Sequence, residues 1–369
     1  MKPVGLYVHV PFCESKCPYC DFYSVDANEN IIDNYTDVLC KTLRTYSKKV
    51  SLSFDTVYFG GGTPSLLGNE NIEKIMKTIR TNFEFFEKEV TLEVNPTTAK
   101  TLNFEQLLAA GVNRLSIGIQ SAVDEELKLL GRRHTVYDAE KTIEMAQKSG
   151  FENISVDLMI AVPSQTKRSL KRSIDFCVAQ NVQHISAYLL KIEENTPFYA
   201  CQAHLSLKDD DEQAELYLYL VGELEKSGFK QYEISNFVKE GYQSQHNLKY
   251  WNAEEYLGIG PSAHSFINGK RFYYPRSLRA FLAGELEVVD DSIGGTVEEY
   301  MMLRLRLCEG LSNEKFKRKF GFAIPRIYFE RARAYQKYGL VYVDKENICF
   351  TPNGFLLSNK LMSELFFEN

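Results

Sequence analysis

Apolar and polar positions along the chain follow two periods that take turns. Short β-rich runs, in which apolar residues alternate with polar or small ones, occur at 6–10, 56–59, 90–94, 114–119, 154–160 and 184–190, with a seventh at 231–234. Between them, apolar residues recur at helical spacing over 31–46, 72–83, 139–148 and 213–226. A strand-to-strand spacing of about 25–45 residues suits βαβ units, which demand parallel strands and right-handed crossovers. Six or seven such units within about 230 residues predict an α/β fold built as a parallel (β/α) barrel, partial or complete.

From about Phe237 the pattern changes. A loop-rich stretch carries His246-Asn247-Leu248-Lys249-Tyr250-Trp251, with the chain's one tryptophan, and then Gly258-Ile259-Gly260-Pro261-Ser262-Ala263-His264. After Gly294-Gly295, helical patterns at 297–307, 313–320 and 325–338 precede a hairpin at 340–343 and 348–351 and a last helix from Pro352. That order predicts a small winged-helix-like module. The expected divisions are 1–236 for the barrel, 237–294 for a connector with the HNxxYW run, and 295–369 for the module.

Composition narrows the function classes. The 369 residues are 44% hydrophobic and 25% charged, too apolar for a disordered chain. The net charge of −6 gives no general field for nucleic acid. The local basic group Lys315, Lys317, Arg318, Lys319, Arg326, Arg331 and Arg333 reads as a solvated face or a docking surface. No apolar run reaches the 18 or so residues of a membrane span, and the first residues do not read as a signal peptide. The expected location is the cytoplasm.

Three of the eight cysteines fall within one short loop: Cys13, Cys17 and Cys20, spaced C-x3-C-x2-C. Soft thiolates select iron–sulfur clusters, and three ligands on a four-iron cluster leave one iron open. Zinc needs a fourth ligand, for which His9 is the candidate, and would make the chain a zinc-stabilised binding module. Purely structural thiols are the remaining reading. The other strand ends are also polar or glycine-rich: Gly60-Gly61-Gly62-Thr63-Pro64, Glu93-Val94-Asn95-Pro96, Gln120-Ser121, and Asp157 within the fifth run. Parallel α/β folds bind ligands at the carboxyl ends of their strands, so these elements converge on one face.

The triplet after a first strand resembles the radical S-adenosylmethionine (SAM) superfamily. Tyr7-Val8-His9-Val10-Pro11-Phe12-Cys13, the Gly60–Pro64 run, Ser116-Ile117-Gly118-Ile119-Gln120-Ser121 and Val156-Asp157-Leu158-Met159-Ile160-Ala161-Val162-Pro163 resemble one branch of it. That branch holds oxygen-independent coproporphyrinogen III oxidase and the HemW-type heme chaperones. The oxidase pattern has a cysteine two places after the third, where Phe22 stands here, and a long extension before the cluster loop. The HemW-type HNxxYW signature is present. The resemblance therefore implies a heme chaperone with a 4Fe-4S cluster, SAM and heme, a heme-acceptor protein, peripheral contact with a membrane-bound acceptor, and an electron donor such as flavodoxin or ferredoxin. Coproporphyrinogen oxidation is the alternative.

The resemblance also implies SAM contacts at Tyr7, Gly62, Thr63, Pro64, Glu93, Gln120, Arg132 and Asp157. Chemistry agrees: glycines admit close backbone approach, Glu93 and Asp157 accept hydrogen bonds from an amine or ribose, and Arg132 offers a fork to a carboxylate. Tyr7 and His9 share one strand face. His246 has two readings. Its imidazole is an axial ligand for heme iron, with Tyr250 and Trp251 over the macrocycle; or it is an ordinary hydrogen-bonded histidine beside a tryptophan that anchors the linker.

Overall fold

Alternation decides the barrel wall. A parallel strand packed on both faces by apolar layers reads as one continuous apolar run; these strands alternate because one face is polar. In the computed structural model, which describes residues 3–366, Leu6, Val8, Val57, Phe59, Val90, Leu92, Leu115, Ile117, Val156 and Leu158 are buried in the main core cluster. The intervening residues Tyr7, His9, Tyr58, Glu93, Ser116 and Asp157 line the inside.

Six strands run parallel in sequential order: β1 (Val4–Val10), β2 (Ser53–Gly61), β3 (Glu84–Val94), β4 (Arg114–Gln120), β5 (Ile154–Ile160) and β6 (His184–Leu189). Helices Glu29–Lys49, Gly68–Asn82, Val136–Lys148, Lys167–Ala179 and Asp210–Lys226 lie between or after them and bury apolar residues in the same core. Asn28, Thr135, Thr166 and Asp209 each accept a backbone N–H at a helix start, which fixes where four of these helices begin.

The seventh expected parallel strand is not formed. β7 (Lys230–Gln231) and β8 (Asn236–Val238) are antiparallel, and β8 pairs with β6. The backbone of 232–234 turns instead to the carboxyl-terminal module, with Ile234 N–H donating to Arg306 O (2.9 Å) and Cys308 N–H to Tyr232 O (3.0 Å). On the other side β9 (Tyr256–Ile259) pairs parallel with β1, followed by antiparallel β10 (His264–Ile267), β11 (Lys270–Tyr273) and β12 (Val289–Ile293). The stretch expected to be loop-rich thus adds four strands to the same sheet. Its order runs from β12 through β1 to β6 and ends at β7, so β1 and β6 do not pair and the barrel is partial.

The carboxyl-terminal module has the expected winged-helix-like order. β13 (Leu311–Ser312), β14 (Val341–Val343) and β15 (Asn347–Phe350) form a small antiparallel sheet beside helices Val297–Arg304, Asn313–Phe320, Arg326–Gln336, Pro352–Leu356 and Ser358–Phe366. Among the described residues no helix is long and apolar enough to cross a membrane.

Gly62 packs where a side chain has no room. Its N–H donates to Val10 O (2.8 Å), and a Cβ there would stand 2.5 Å from the Phe12 carbonyl oxygen. Gly222, inside the helix Asp210–Lys226, has nothing within 4 Å of the same position. Gly62→Ala is expected to cost about 1–3 kcal/mol and Gly222→Ala to gain about 0.5–1 kcal/mol. Urea midpoints moving in opposite directions are the expected result; equal midpoints would contradict this packing.

Candidate functional site

The loop after β1 carries the cysteine triplet on main-chain supports. Cys13 N–H donates to Val25 O (3.0 Å), Cys20 N–H to Cys17 O (3.1 Å), and Phe198 N–H to Pro18 O (2.9 Å). Cys13, Cys17 and Cys20 are free thiols and half-buried. The Thr63 hydroxyl lies 3.3 Å from Cys13 Sγ, and Arg132 Nη1 donates to Cys17 Sγ at 3.6 Å. Burial raises the Cys20 thiol above its ordinary range.

Among the described residues no three His, Cys, Asp or Glu side chains gather around one point. The zinc reading also loses its fourth ligand. His9 Nε2–H donates to Tyr23 O (3.1 Å), which leaves Nδ1 to accept from the Tyr7 hydroxyl (3.1 Å). Burial lowers His9 to about 4, so the ring is neutral and both nitrogens are in use. A loop of three cysteines with no fourth ligand beside it has the donor set of a four-iron cluster, in which each thiolate would take a separate iron and one iron would stay open.

Behind the loop the lumen opens toward the carboxyl ends of the strands. Tyr7, Tyr58, Glu93, Gln120 and Asp157 keep part of their surface accessible although their strands' other faces are covered by helices. Tyr58 donates to Glu93 Oε1 (2.9 Å), and Ser116 donates to Asp157 Oδ1 (3.2 Å). Enclosure, with the neighbouring Asp157 carboxyl, pushes Glu93 up to about 8; enclosure raises Asp157 as well. Two carboxyls that resist ionisation suit a cationic ligand, whose charge would let both ionise. Arg132 Nη2 donates to Gly118 O (2.8 Å), which places the guanidinium between β4 and Cys17. Thr63, Cys17 and Arg132, with Asn95, Thr97 and Gly131, line a narrow cleft beside the cysteine loop. Pro64 is buried at the start of the short helical turn Pro64–Leu67.

The glycine run also serves the backbone. Gly62, expected to let a ligand approach, gives room to the Phe12 carbonyl at the root of the cysteine loop as well. A Cβ on Gly60 would crowd Tyr58, Tyr7 and Glu93 Oε1 at 2.9–3.2 Å, so Gly60 is the one that faces the lumen groups.

His246 lies at the opposite end of the barrel, on the helix Gln245–Trp251, and is 0% exposed. Its Nδ1 pairs with Thr56 Oγ1 (2.9 Å) and its Nε2 with Tyr250 Oη (2.8 Å), and the ring lies beside Tyr58 with centroids 5.3 Å apart. In this arrangement it offers no nitrogen to an iron, which is the geometry of the hydrogen-bonded histidine. Burial lowers it to about 3.

Two supporting carboxylates were not singled out in the sequence. Glu89 accepts from Gln245 N (2.8 Å), His246 N (2.9 Å) and Ser244 Oγ (3.3 Å), holding that helix against β3. Glu126 Oε2 accepts from Ser121 Oγ (2.6 Å) and Gln165 Nε2 (3.1 Å), while Gln165 Oε1 accepts from Ala161 N (2.8 Å). This ties together the turns after β4 and β5, where Gln120 and Ala161 hold left-handed backbone (φ 63° and 60°). The Glu89 contacts and the Glu126–Gln165 bond join residues far apart in sequence, so only the fold reveals them.

The chain is similar to known proteins along its whole length. Residues 7–177 match the Radical SAM superfamily and residues 296–357 match the HemN C-terminal domain. The chain is 33% identical to the heme chaperone HemW of Lactococcus lactis, covering 100% of this chain and 98% of the relative. It is 33% identical to that of Bacillus subtilis, covering 98% and 99%. The coproporphyrinogen III oxidase HemN of Escherichia coli, a radical SAM enzyme, superposes with a TM-score of 0.82 at 21% identity, over 99% of this chain and 90% of that one.

Burial of neutral histidines sets an acid limit on stability. His9 and His134 are lowered to about 4, His246 to about 3, and His184 well below its ordinary value, each chiefly by burial. As pH falls below about 6.5 the unfolded chain takes up protons that the folded rings refuse. Each ring then removes up to about 1.4 kcal/mol of stability per pH unit, until its folded value is reached. Glu93 and Glu233, raised by burial to about 8 and about 7, act in the opposite sense. The test is therefore a difference: the loss of unfolding free energy between pH 7 and 4.5 should be smaller in His134→Gln than in the wild type, and equal losses would contradict this burial.

Proposed function

The chain belongs to the HemW family of the radical SAM superfamily, and from that premise we propose that it carries heme to an acceptor protein while holding a 4Fe-4S cluster and SAM. The observation that carries this reading is the loop of three free, half-buried thiols set against Thr63 and Arg132 at the rim of a polar lumen. When bound, the cluster supplies one-electron chemistry to SAM.

In this reading Cys13, Cys17 and Cys20 hold the cluster. Arg132, already on Cys17, directs its fork to the SAM carboxylate. Glu93 and Asp157 accept from the SAM amine or ribose hydroxyls, and Tyr7, Gly62, Thr63, Pro64 and Gln120 shape the site around them. Residues 1–236 form the cluster and SAM unit, 237–294 the connector, and 295–369 the module. A flavodoxin- or ferredoxin-type donor supplies electrons. The protein works in the cytoplasm, touches a membrane-bound acceptor from outside the bilayer, and does not engage nucleic acid. Heme ligation by His246 would cost both of its hydrogen bonds, so the iron ligand is not placed there. Phe22, 66% exposed where the oxidase pattern has a cysteine, argues against coproporphyrinogen oxidation.

Anaerobically reconstituted protein should contain about four irons per chain and give a saturable Soret band with added heme. His246→Ala should lower the unfolding midpoint and leave the Soret amplitude per folded chain unchanged. Reduced protein with SAM should not convert coproporphyrinogen III to protoporphyrinogen IX. Robust conversion, or a heme titration that never saturates, would overturn the proposal; a Soret band lost with the fold intact would restore His246 as the ligand.

A further inference from the structure

Arg114 opens β4 on its inner face and is 1% exposed, one of the largest fully buried side chains in the protein. A buried guanidinium is costly unless a carboxylate meets it. Among the described residues its Nε has no hydrogen-bond partner, and its Nη1 reaches the Thr91 hydroxyl only at 3.5 Å. Its charge instead acts across the lumen, on Glu93 and Asp157.

The neighbours of Glu93 leave few ways to balance charge. Tyr7 faces it from β1, Tyr58 and the Gly61 N–H from β2, Arg114 from β4, Asp157 from β5 and Tyr250 from the helix Gln245–Trp251. Burial lifts all three phenols well above their ordinary range, so they stay neutral. Asp157 has hydrogen bonds from Ser116 and Ser186 and feels both Arg114 and Arg132, which favour its ionised form. With Arg132 held at the rim by Cys17 and Gly118, the two carboxylates set against Arg114 alone leave one negative charge without a partner.

We propose that Arg114, Glu93 and Asp157 form a charge selector for SAM, in which a proton on Glu93 balances the lumen of the free protein and the sulfonium of SAM replaces it. The proposal rests on the SAM reading above. Binding then transfers one proton from Glu93 to solvent, and no bond of the ligand changes. In this arrangement the amine shared by both ligands is met by Asp157, so S-adenosylhomocysteine, the thioether analogue with no sulfonium, displaces no proton from Glu93. The guanidinium's role is to hold the excess at a single charge, so that one cationic group satisfies it.

The sign follows from the raised carboxyl. Below about 8 Glu93 is protonated and SAM must expel the proton; above it the site is already ionised. SAM affinity therefore climbs as pH rises toward 8 and then levels, while affinity for the thioether does not follow. The titration of the shared amine cancels in the ratio of the two affinities.

Equilibrium dialysis of both ligands against the cluster-loaded full chain, from pH 6.5 to 8.5, tests this. The SAM to S-adenosylhomocysteine affinity ratio should rise more than about tenfold in the wild type and stay flat in Glu93→Gln. Arg114→Met should move the rise to higher pH. If Arg114→Met does not load its cluster, the Glu93→Gln comparison decides. Both ligands bound with a flat wild-type ratio, or a Glu93→Gln profile equal to the wild type, would overturn the charge selector and leave the proposed function standing. Neither ligand bound at any pH, with the cluster intact, would overturn the SAM reading and this inference together.

Discussion

Charges enclosed by a barrel wall answer to one another, because an interior of low effective dielectric gives water little room to screen them. A barrel core is usually filled with layers of branched apolar side chains. Here the inner positions of β1–β6 are tyrosines, serines, histidines, acids and an arginine, and each needs a partner. The lower half finds them within the protein: Thr56 with His246, Ser155 Oγ with His184 Nδ1 at 2.7 Å, Glu89 with the start of the helix Gln245–Trp251. The upper half finds only some of them, Tyr58 on Glu93 and Ser116 on Asp157, and Glu93, Asp157 and Gln120 keep accessible surface. The same wall is therefore a closed floor and an open mouth.

The cysteine loop depends on that mouth through the main chain. Val10 and Phe12 carbonyls take the N–H groups of Gly62 and Thr63, so the end of β2 is bonded directly to the segment that enters the loop. Arg132 joins the loop to β4 through Cys17 and Gly118. The left-handed residues Gln120 and Ala161, held by the Glu126 and Gln165 network, complete a rim in which backbone strain is kept in place by buried hydrogen bonds. A ligand at the mouth meets groups whose positions are set before it arrives.

Much of this was legible in the sequence because alternation, turn residues and thiol spacing are local signals. The run at 154–160 coincides with β5, and 313–320 with a helix of the module. What was missed is non-local. The turn at 232–234 reads as a strand, and only the arrival of residues 306–308 shows what it pairs with. The glycine run reads as room for a ligand, and only the position of Phe12 shows which glycine is spent on the backbone. Arg114 reads as the first residue of an amphipathic strand; that it is buried with Nε unpaired follows from the closure of the wall around it.

The HNxxYW run ties the barrel to the carboxyl-terminal module. Its helix sits between two bodies. Toward the barrel, Lys249 pairs with Asp55 (2.8 Å) and donates to Pro3 O (3.1 Å), beside the Glu89 and Thr56 contacts. Toward the module, Arg304 donates to Asn252 just past the helix end, and Lys319 Nζ donates to Ala253 O (3.0 Å). From His246 the contacts run on through the Tyr58 ring, whose hydroxyl donates to Glu93. A continuous chain of packed and hydrogen-bonded groups therefore joins the module to the carboxyl at the centre of the lumen. Such a chain is the physical route that coupling between the two requires, and it needs His246 neutral, buried and bonded, which is the state the barrel floor imposes on it.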